Sequence, residues 1–248
     1  MYTAFASVYD RLMREVDYPA WARYYAQLLG RCGVTRGSVC ECACGTGSLT
    51  SELQRLGYAM TGVDLSQEML SVAQQKARER GLTIPFVCQD MCKLTLHKRQ
   101  HAILCTCDGI NYLTTPDRVR RFFRAAHAAL RPGGALVFDV STPYKLEHIL
   151  GSNTLGSQEE DLPYVWQNAW HPRTHTVEMR LSIFERGQDG RYARLEERQR
   201  QRAHSREELT AYLAEAGFAH IRFYGDQTLR APGSRALRWH VTACKPKE

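Results

Sequence analysis

Glu41, Gly45 and Gly47 stand in the stretch Cys40–Thr50, CECACGTGSLT, and Asp64 closes VD in YAMTGVDLS. Two glycines let a backbone turn sharply and approach a ligand closely. Where such a turn opens a helix, the ligand meets free N–H groups and the positive helix end. Asp64 lies about 20 residues beyond, where a carboxylate accepts both hydroxyls of a ribose. Asp90, in QDM, closes a third strand-like segment. The three features predict a nucleoside cofactor held at the carboxyl ends of strands in one sheet.

The kind of nucleoside follows from what surrounds the glycines. A dinucleotide fingerprint wants a third glycine where Thr50 stands, and no Tyr-x-x-x-Lys pair supplies a short-chain dehydrogenase base. No Gly-Lys-Ser/Thr follows the glycines, which excludes a P-loop. Glu41, ahead of Gly45, suits a ligand carrying a cationic amine rather than a pyrophosphate.

The elements that must position these residues alternate. A helix is expected from Pro19 to about Gly30, a strand over Ser38–Cys42 and a helix over Thr46–Leu56 with Gly57 as its stop. YAMTGVD reads as a strand, Ser66–Arg80 as a helix capped by Ser66, TIPFVCQD as a strand and His101–Asp108 as an apolar strand buried on both faces. A helix over Asp117–Leu130 and the strand GALVFDV follow. This β-α-β-α-β order implies a doubly wound parallel α/β sheet. From about 162 to 203 the pattern turns to alternating β-type stretches with a GQDG hairpin signal at Gly187–Gly190. That segment reads as an antiparallel insertion, a lid. Ser205 caps a last helix, and AHIRFYGD and RALRWHVTACK close the sheet.

With E-x-A-x-G-x-G (Glu41–Gly47), VDLSQEML (Val63–Leu70), QDM, CDGINYL (Cys107–Leu113), LRPGG (Leu130–Gly134) and FDV (Phe138–Val140), the chain resembles a class I S-adenosylmethionine-dependent methyltransferase. The opening YTAFASVYDRLM and the insertion resemble more narrowly a bacterial small-molecule group that includes sugar-nucleotide N-methyltransferases. The resemblance implies a mostly parallel seven-stranded Rossmann-like sheet with a small antiparallel lid. It divides the chain into a methyltransferase domain (1–150 and 204–248) and an inserted lid (151–203). The implied cofactor is S-adenosyl-L-methionine. Glu41, Ala43, Gly45 and Gly47 would line its methionine and ribose, and Asp64 would hold the ribose hydroxyls. Leu65 and Met69 would pack near the adenine, and Asp90 and Met91 would meet its edge. Cys107 and Asp108 would end the fourth strand beside the sulfonium, and Tyr9, with Tyr2 nearby, would cover the methionine end. Cys42 and Cys44 depart from the small or aliphatic residues of many relatives.

A methyl group on a positive sulfur needs an acceptor held close and aligned with water excluded, more than a strong base. The acceptor is therefore expected over Asp108, Asn111 and Tyr112, with Tyr144 after the fifth strand and Trp166 and Trp170 of the lid as walls; Asn111, Tyr112 and Tyr144 are the candidate catalytic residues. His175 and His204 are weaker candidates for a base.

The 248 residues, 44% of them hydrophobic, suffice for one large core and exclude a disordered chain. No apolar run is long enough to span a membrane and no cleavable leader is apparent, so a cytoplasmic protein is expected. The net charge of +7 would suit an acidic partner, RNA included. No Asn/Asp-Pro-Pro-Tyr motif, Pro-Cys nucleophile or appended RNA-binding module is present, so a small-molecule acceptor is favoured, in a monomer or homodimer. A non-catalytic cofactor-binding protein on the same fold is the alternative from another class. The nine cysteines are expected as thiols. Cys40, Cys42 and Cys44 share a strand face near Cys105 and Cys107, but lack the C-x-x-C spacing of a zinc site, so they read as packing and no metal is expected.

Overall fold

The computed structural model describes residues 5–247. Tyr2 lies outside the described residues. After helix α1 (Phe5–Leu12) and α2 (Tyr18–Arg31), strands and helices alternate: β1 (Gly37–Cys42), α3 (Ser48–Arg55), β2 (Tyr58–Asp64), α4 (Gln67–Glu79), β3 (Phe86–Cys88), β4 (Gln100–Cys105), α5 (Pro116–Ala129) and β5 (Leu130–Ser141). Next come β6 (Thr154–Ser157), β7 (Tyr164–His171), β8 (Thr176–Arg186) and β9 (Tyr192–Arg202), then α6 (Arg206–Glu215), β10 (Ala219–Tyr224) and β11 (Arg238–Cys244).

The main sheet has seven strands in the order β10-β11-β5-β4-β1-β2-β3. β11 runs antiparallel to both neighbours and the other pairings are parallel. Apolar side chains cover both faces, as parallel strands require. On one face α5 and α6 bring Phe122, Phe123 and Leu213 against Ile103, Phe138 and Cys105. On the other, α2 and α3 bring Tyr25, Leu28 and Leu53 against Val39, Leu104 and Val137. The antiparallel insertion expected from the alternating stretches is a second sheet, β6-β7-β8-β9, joined between β8 and β9 by the Gly187–Gly190 turn.

Local sequence explains most element ends. Asp17 accepts from Ala20 N at 2.9 Å at the start of α2, and Ser66 accepts from Met69 N at 3.2 Å at the start of α4. Ser205 and Glu208 form a reciprocal capping box on α6. The aromatic opening segment forms the helix α1. Two expectations are corrected. The strand read over TIPFVCQD keeps only three residues as β3. The strand read to Asp108 stops at Cys105, because Cys107 and Asp108 turn into left-handed φ angles of 52° and 64°. Among the described residues no helix is long and apolar enough to cross a membrane.

Candidate active site

The turn after β1 is built from left-handed backbone: Ala43, Gly45 and Gly47 have φ of 54°, 53° and 68°. A Cβ on Gly45 would meet nothing within 4 Å, so this turn faces an open crevice. A Cβ on Gly47 would lie 3.0 Å from Ala73 and Phe86, so that glycine serves close packing against α4 and β3. Directly beside the turn stands Asp64. Its Oδ2 accepts from Gly45 N at 2.8 Å and its Oδ1 from Ser66 N at 2.9 Å. Burial raises its pKa, and the backbone N–H groups offset part of that.

Glu41 is buried beneath the turn. Thr106 donates to its Oε1 at 2.6 Å and Thr50 donates to its Oε2. Thr50 is the residue that replaced a third glycine, and its hydroxyl now holds the acid. Burial pushes the Glu41 carboxyl up to about 7, against the pull of the two hydroxyl bonds.

The adenine-side candidates separate. Leu65 is 68% exposed beside the crevice, free to cover a flat ring. Met69 packs instead beneath α1 with Phe5, Ala6 and Val8. Asp90 caps the one-turn helix Met91–Lys93 through Cys92 N at 2.9 Å and pairs with Arg118 at 3.3 Å. Met91 packs on the core, its sulfur 3.9 Å from Cys105 Sγ.

α1 is tied to the elements around the turn. Asp10 Oδ1 accepts from Thr46 Oγ1 at 2.6 Å, and Asp10 Oδ2 takes Lys76 Nζ at 2.6 Å. Lys76 also reaches Ser48 Oγ at 2.7 Å. This network pins α1 to the start of α3. It fixes Tyr9, whose phenol burial drives well above its ordinary pKa, reinforced by Cys107 and its neighbours.

Asp139, fully buried on β5, sets the left-handed turn after β4. It accepts from Cys107 N at 2.8 Å, Asp108 N at 3.1 Å and Tyr25 Oη at 2.5 Å, and it also pairs with Arg238. Arg238 reaches Asp108 Oδ1 at 2.6 Å and stacks over Trp21, 5.3 Å from the ring centre. Sequence reasoning assigned no role to Asp139 or Arg238. The signal was a charged residue inside an apolar strand, as in GALVFDV, which has to be paired once buried.

A cavity of about 280 Å³ runs from Cys107 and Asp108 to the second sheet. Tyr9, Tyr112, Lys145, Trp166, Gln201 and Arg238 are among its walls. Tyr112 donates to Gln199 Oε1 at 2.7 Å, joining the strand-end loop to β9. Asn111 is fully buried. Its Nδ2 donates to Ser141 O at 3.1 Å and Arg202 O at 2.9 Å, and Ser141 N donates to its Oδ1 at 2.9 Å. Its amide is thus spent on holding the loop, β5 and β9 together. Tyr144 is absent from the cavity lining and packs by His148, ring centres 5.2 Å apart, whereas Lys145 beside it lines the cavity. Trp170 and His175 pair at the β7–β8 turn, ring centres 6.3 Å apart. His204 is buried, accepts from Arg202 and bonds Ile110 O at 3.3 Å. Burial, then the Arg202 charge, lowers its pKa to about 4.

Cys40, Cys42 and Cys105 lie in the core with Val63 and Ile103, and Cys42 faces Cys105 across the β1–β4 pairing. Cys44 sits over Gly62, where an added Cβ would come within 2.9 Å of its sulfur. Cys40, Cys42 and Cys105 thus fill the core as small apolar side chains, and Cys44 packs where Gly62 leaves no room for a side chain.

A methyltransferase domain model matches residues 39–134, the stretch from β1 to the start of β5. A protein of Geobacillus sp. (strain WCH70), assigned as a methyltransferase without a stated acceptor, is 36% identical over 98% of this chain and 99% of its own length. The chain belongs to the S-adenosylmethionine-dependent methyltransferases. A crystal structure of such an enzyme from Clostridium acetobutylicum superposes with a TM-score of 0.90, at 30% identity over 99% of both chains. YqeM of Bacillus subtilis, similarly assigned, is 34% identical over 100% of this chain and 98% of its own length. CalS10, an amino pentose methyltransferase from Micromonospora echinaspora solved with S-adenosylmethionine, shares the fold with a TM-score of 0.77, at 21% identity over 96% of both chains.

S-adenosylmethionine is the cofactor of this methyltransferase, and the residues present fit it. The open face at Gly45 leaves room for the nucleoside. Asp64 retains lone pairs beyond its two backbone bonds for the ribose hydroxyls. Glu41 supplies the buried acid suited to a cationic ligand.

Proposed function

We propose that the protein methylates an amine or hydroxyl of a small molecule bound between the strand ends and the second sheet. The observation that carries this is the cavity of about 280 Å³ that starts at Cys107 and Asp108 and ends on Trp166, Met179 and Gln201. Its size is near the lower end for small-ligand sites. When bound, S-adenosylmethionine supplies a methyl carbon activated by the adjoining sulfonium and open to in-line displacement. Asp64 and the Gly45 turn hold the nucleoside; Tyr9, fixed by the Asp10 network, covers the methionine end. The Cys107–Asp108 turn, braced by Asp139 and Arg238, sets the floor on which the acceptor lies. Tyr112, Gln199 and the apolar side chains of β8 exclude water and orient the acceptor. Asn111 and Tyr144 act through position, by fixing the loop and the helical turn that carries Lys145.

The resemblance to a group that includes sugar-nucleotide N-methyltransferases is in keeping with the fold shared with CalS10, an amino pentose methyltransferase. On the outer face of the second sheet Arg180 and Arg200 pair with Glu178, and Arg194 with Glu196, which disfavours a continuous basic track for RNA. The test is S-adenosylhomocysteine release with panels of amines, hydroxyls and tRNA. Turnover with a small acceptor supports the reading, and turnover with tRNA alone overturns it.

A further inference from the structure

The cavity is lined by donors the protein leaves partly unused. Lys145 Nζ donates to Ser141 Oγ at 3.0 Å and forms no ion pair among the described residues. Asp226, held below the ordinary carboxylate range first by its bond to His240 and last by the field of Lys145, spends its side chain on His240 at 3.4 Å. Trp166 lines the cavity by its ring, its Nε1 being buried out of reach of a ligand there. Gln201, only 5% exposed, lines the same cavity, and its amide forms no hydrogen bond among the described residues. Gln199 has given its oxygen to Tyr112, which leaves its NH₂.

These groups are brought together by the fold. Asn111 ties Ser141, four residues before Lys145, to Arg202, the neighbour of Gln201. Leu146 and Leu150 pack on Met179 beside Trp166, which seats the helical turn of Lys145 against the second sheet. Arg238, opposite Ser141 in the β11–β5 register, is already neutralised by Asp108 and Asp139. An unsatisfied buried donor is costly, and native sites retain one where a ligand completes it. An ammonium and two side-chain amides together call for a ligand group that is negatively charged and rich in acceptors.

We propose that Lys145 and Gln201, with the free amide NH₂ of Gln199 beside them, form an anion subsite, so that the methyl acceptor carries a carboxylate or phosphate group beside the amine or hydroxyl that is methylated. This rests on the small-molecule reading above and narrows it to anionic acceptors.

The test uses the full chain saturated with S-adenosylhomocysteine, titrated calorimetrically with benzoate, phenyl phosphate and benzamide, the neutral isostere. At least one anion should bind about tenfold more tightly than benzamide, the scale of a charge-assisted hydrogen bond. Which anion leads separates a carboxylate from a phosphate. Lys145→Met should abolish the preference, Lys145→Arg should restore most of it, and Gln201→Leu should reduce it about threefold. Equal binding of all three probes, binding of none, or a preference that survives Lys145→Met overturns the proposal. S-adenosylhomocysteine affinity is measured first in the same samples. Loss in Lys145→Met alone would assign the lysine to the cofactor's own carboxylate and overturn the subsite, whereas loss in the native chain would overturn the enzyme reading itself.

Discussion

Gly45 N–H donates to Asp64 Oδ2 at 2.8 Å, so the turn after β1 and the acid closing β2 orient one another directly. With Ser66 N on Oδ1 at 2.9 Å, the carboxylate is locked before any ligand arrives. A pre-oriented acceptor pays little ordering entropy when it takes up the ribose hydroxyls. Asp64→Ala should weaken S-adenosylmethionine binding by about 1–3 kcal/mol, the cost of unpairing buried hydroxyls. Calorimetry giving the native affinity would remove Asp64 from the site.

Glu41 titrates at about 7 instead of 4.5 because it is buried. The folded chain thus keeps a proton that the unfolded chain releases above 4.5. Stability from this group is full below pH 4.5, falls as pH rises to about 7, and is level beyond. The loss is about 3 kcal/mol at 1.36 kcal/mol per pKa unit. Glu41→Gln should flatten that slope in urea denaturation at pH 5 and 8. The cationic cofactor should also draw the proton off Glu41. Binding measured near neutral pH in buffers of different ionisation enthalpy should then report proton release that the variant lacks.

Lys76 of α4 and Asp10 of α1 form a partly exposed ion pair, with Lys76 also reaching Ser48 at the start of α3, and its worth to overall stability is small, about 1 kcal/mol. Its effect should fall on local opening. Lys76→Ala should speed S-adenosylhomocysteine dissociation in stopped-flow and speed amide exchange in α1, with little change in melting temperature. An unchanged release rate would show that α1 does not gate the crevice.

Asp139 is a fully buried carboxylate serving four donors, Arg238 among them. Asp139→Ala should cost about 3–5 kcal/mol, the range for stranding a buried charge. Arg238 keeps Asp108 as a partner, which favours the lower end. Chemical denaturation measures this directly, and a loss below 1 kcal/mol would contradict the brace.

Local signals carried the legible part of this fold. Ser66 and Ser205 announce their helices because caps act within three residues, and the Gly187–Gly190 turn announces its hairpin for the same reason. The crevice was legible because Glu41, Gly45, Gly47 and Asp64 are set by one β-α-β unit. The acceptor side was not. Tyr112 meets Gln199 across 87 residues and Arg238 meets Asp108 across 130, and no periodicity encodes such pairings. Tyr144 against Lys145 shows the finer limit: which of two adjacent residues faces a cavity depends on a helical turn, Lys145–Leu150, that the sequence left unmarked.

The most direct test of the central claim is a crystal structure of the protein with S-adenosylhomocysteine. The ribose hydroxyls should lie within about 3 Å of Asp64, with the sulfur facing the cavity beside Cys107. A nucleoside bound away from the Gly45 turn, or a sulfur turned from that cavity, would contradict the account.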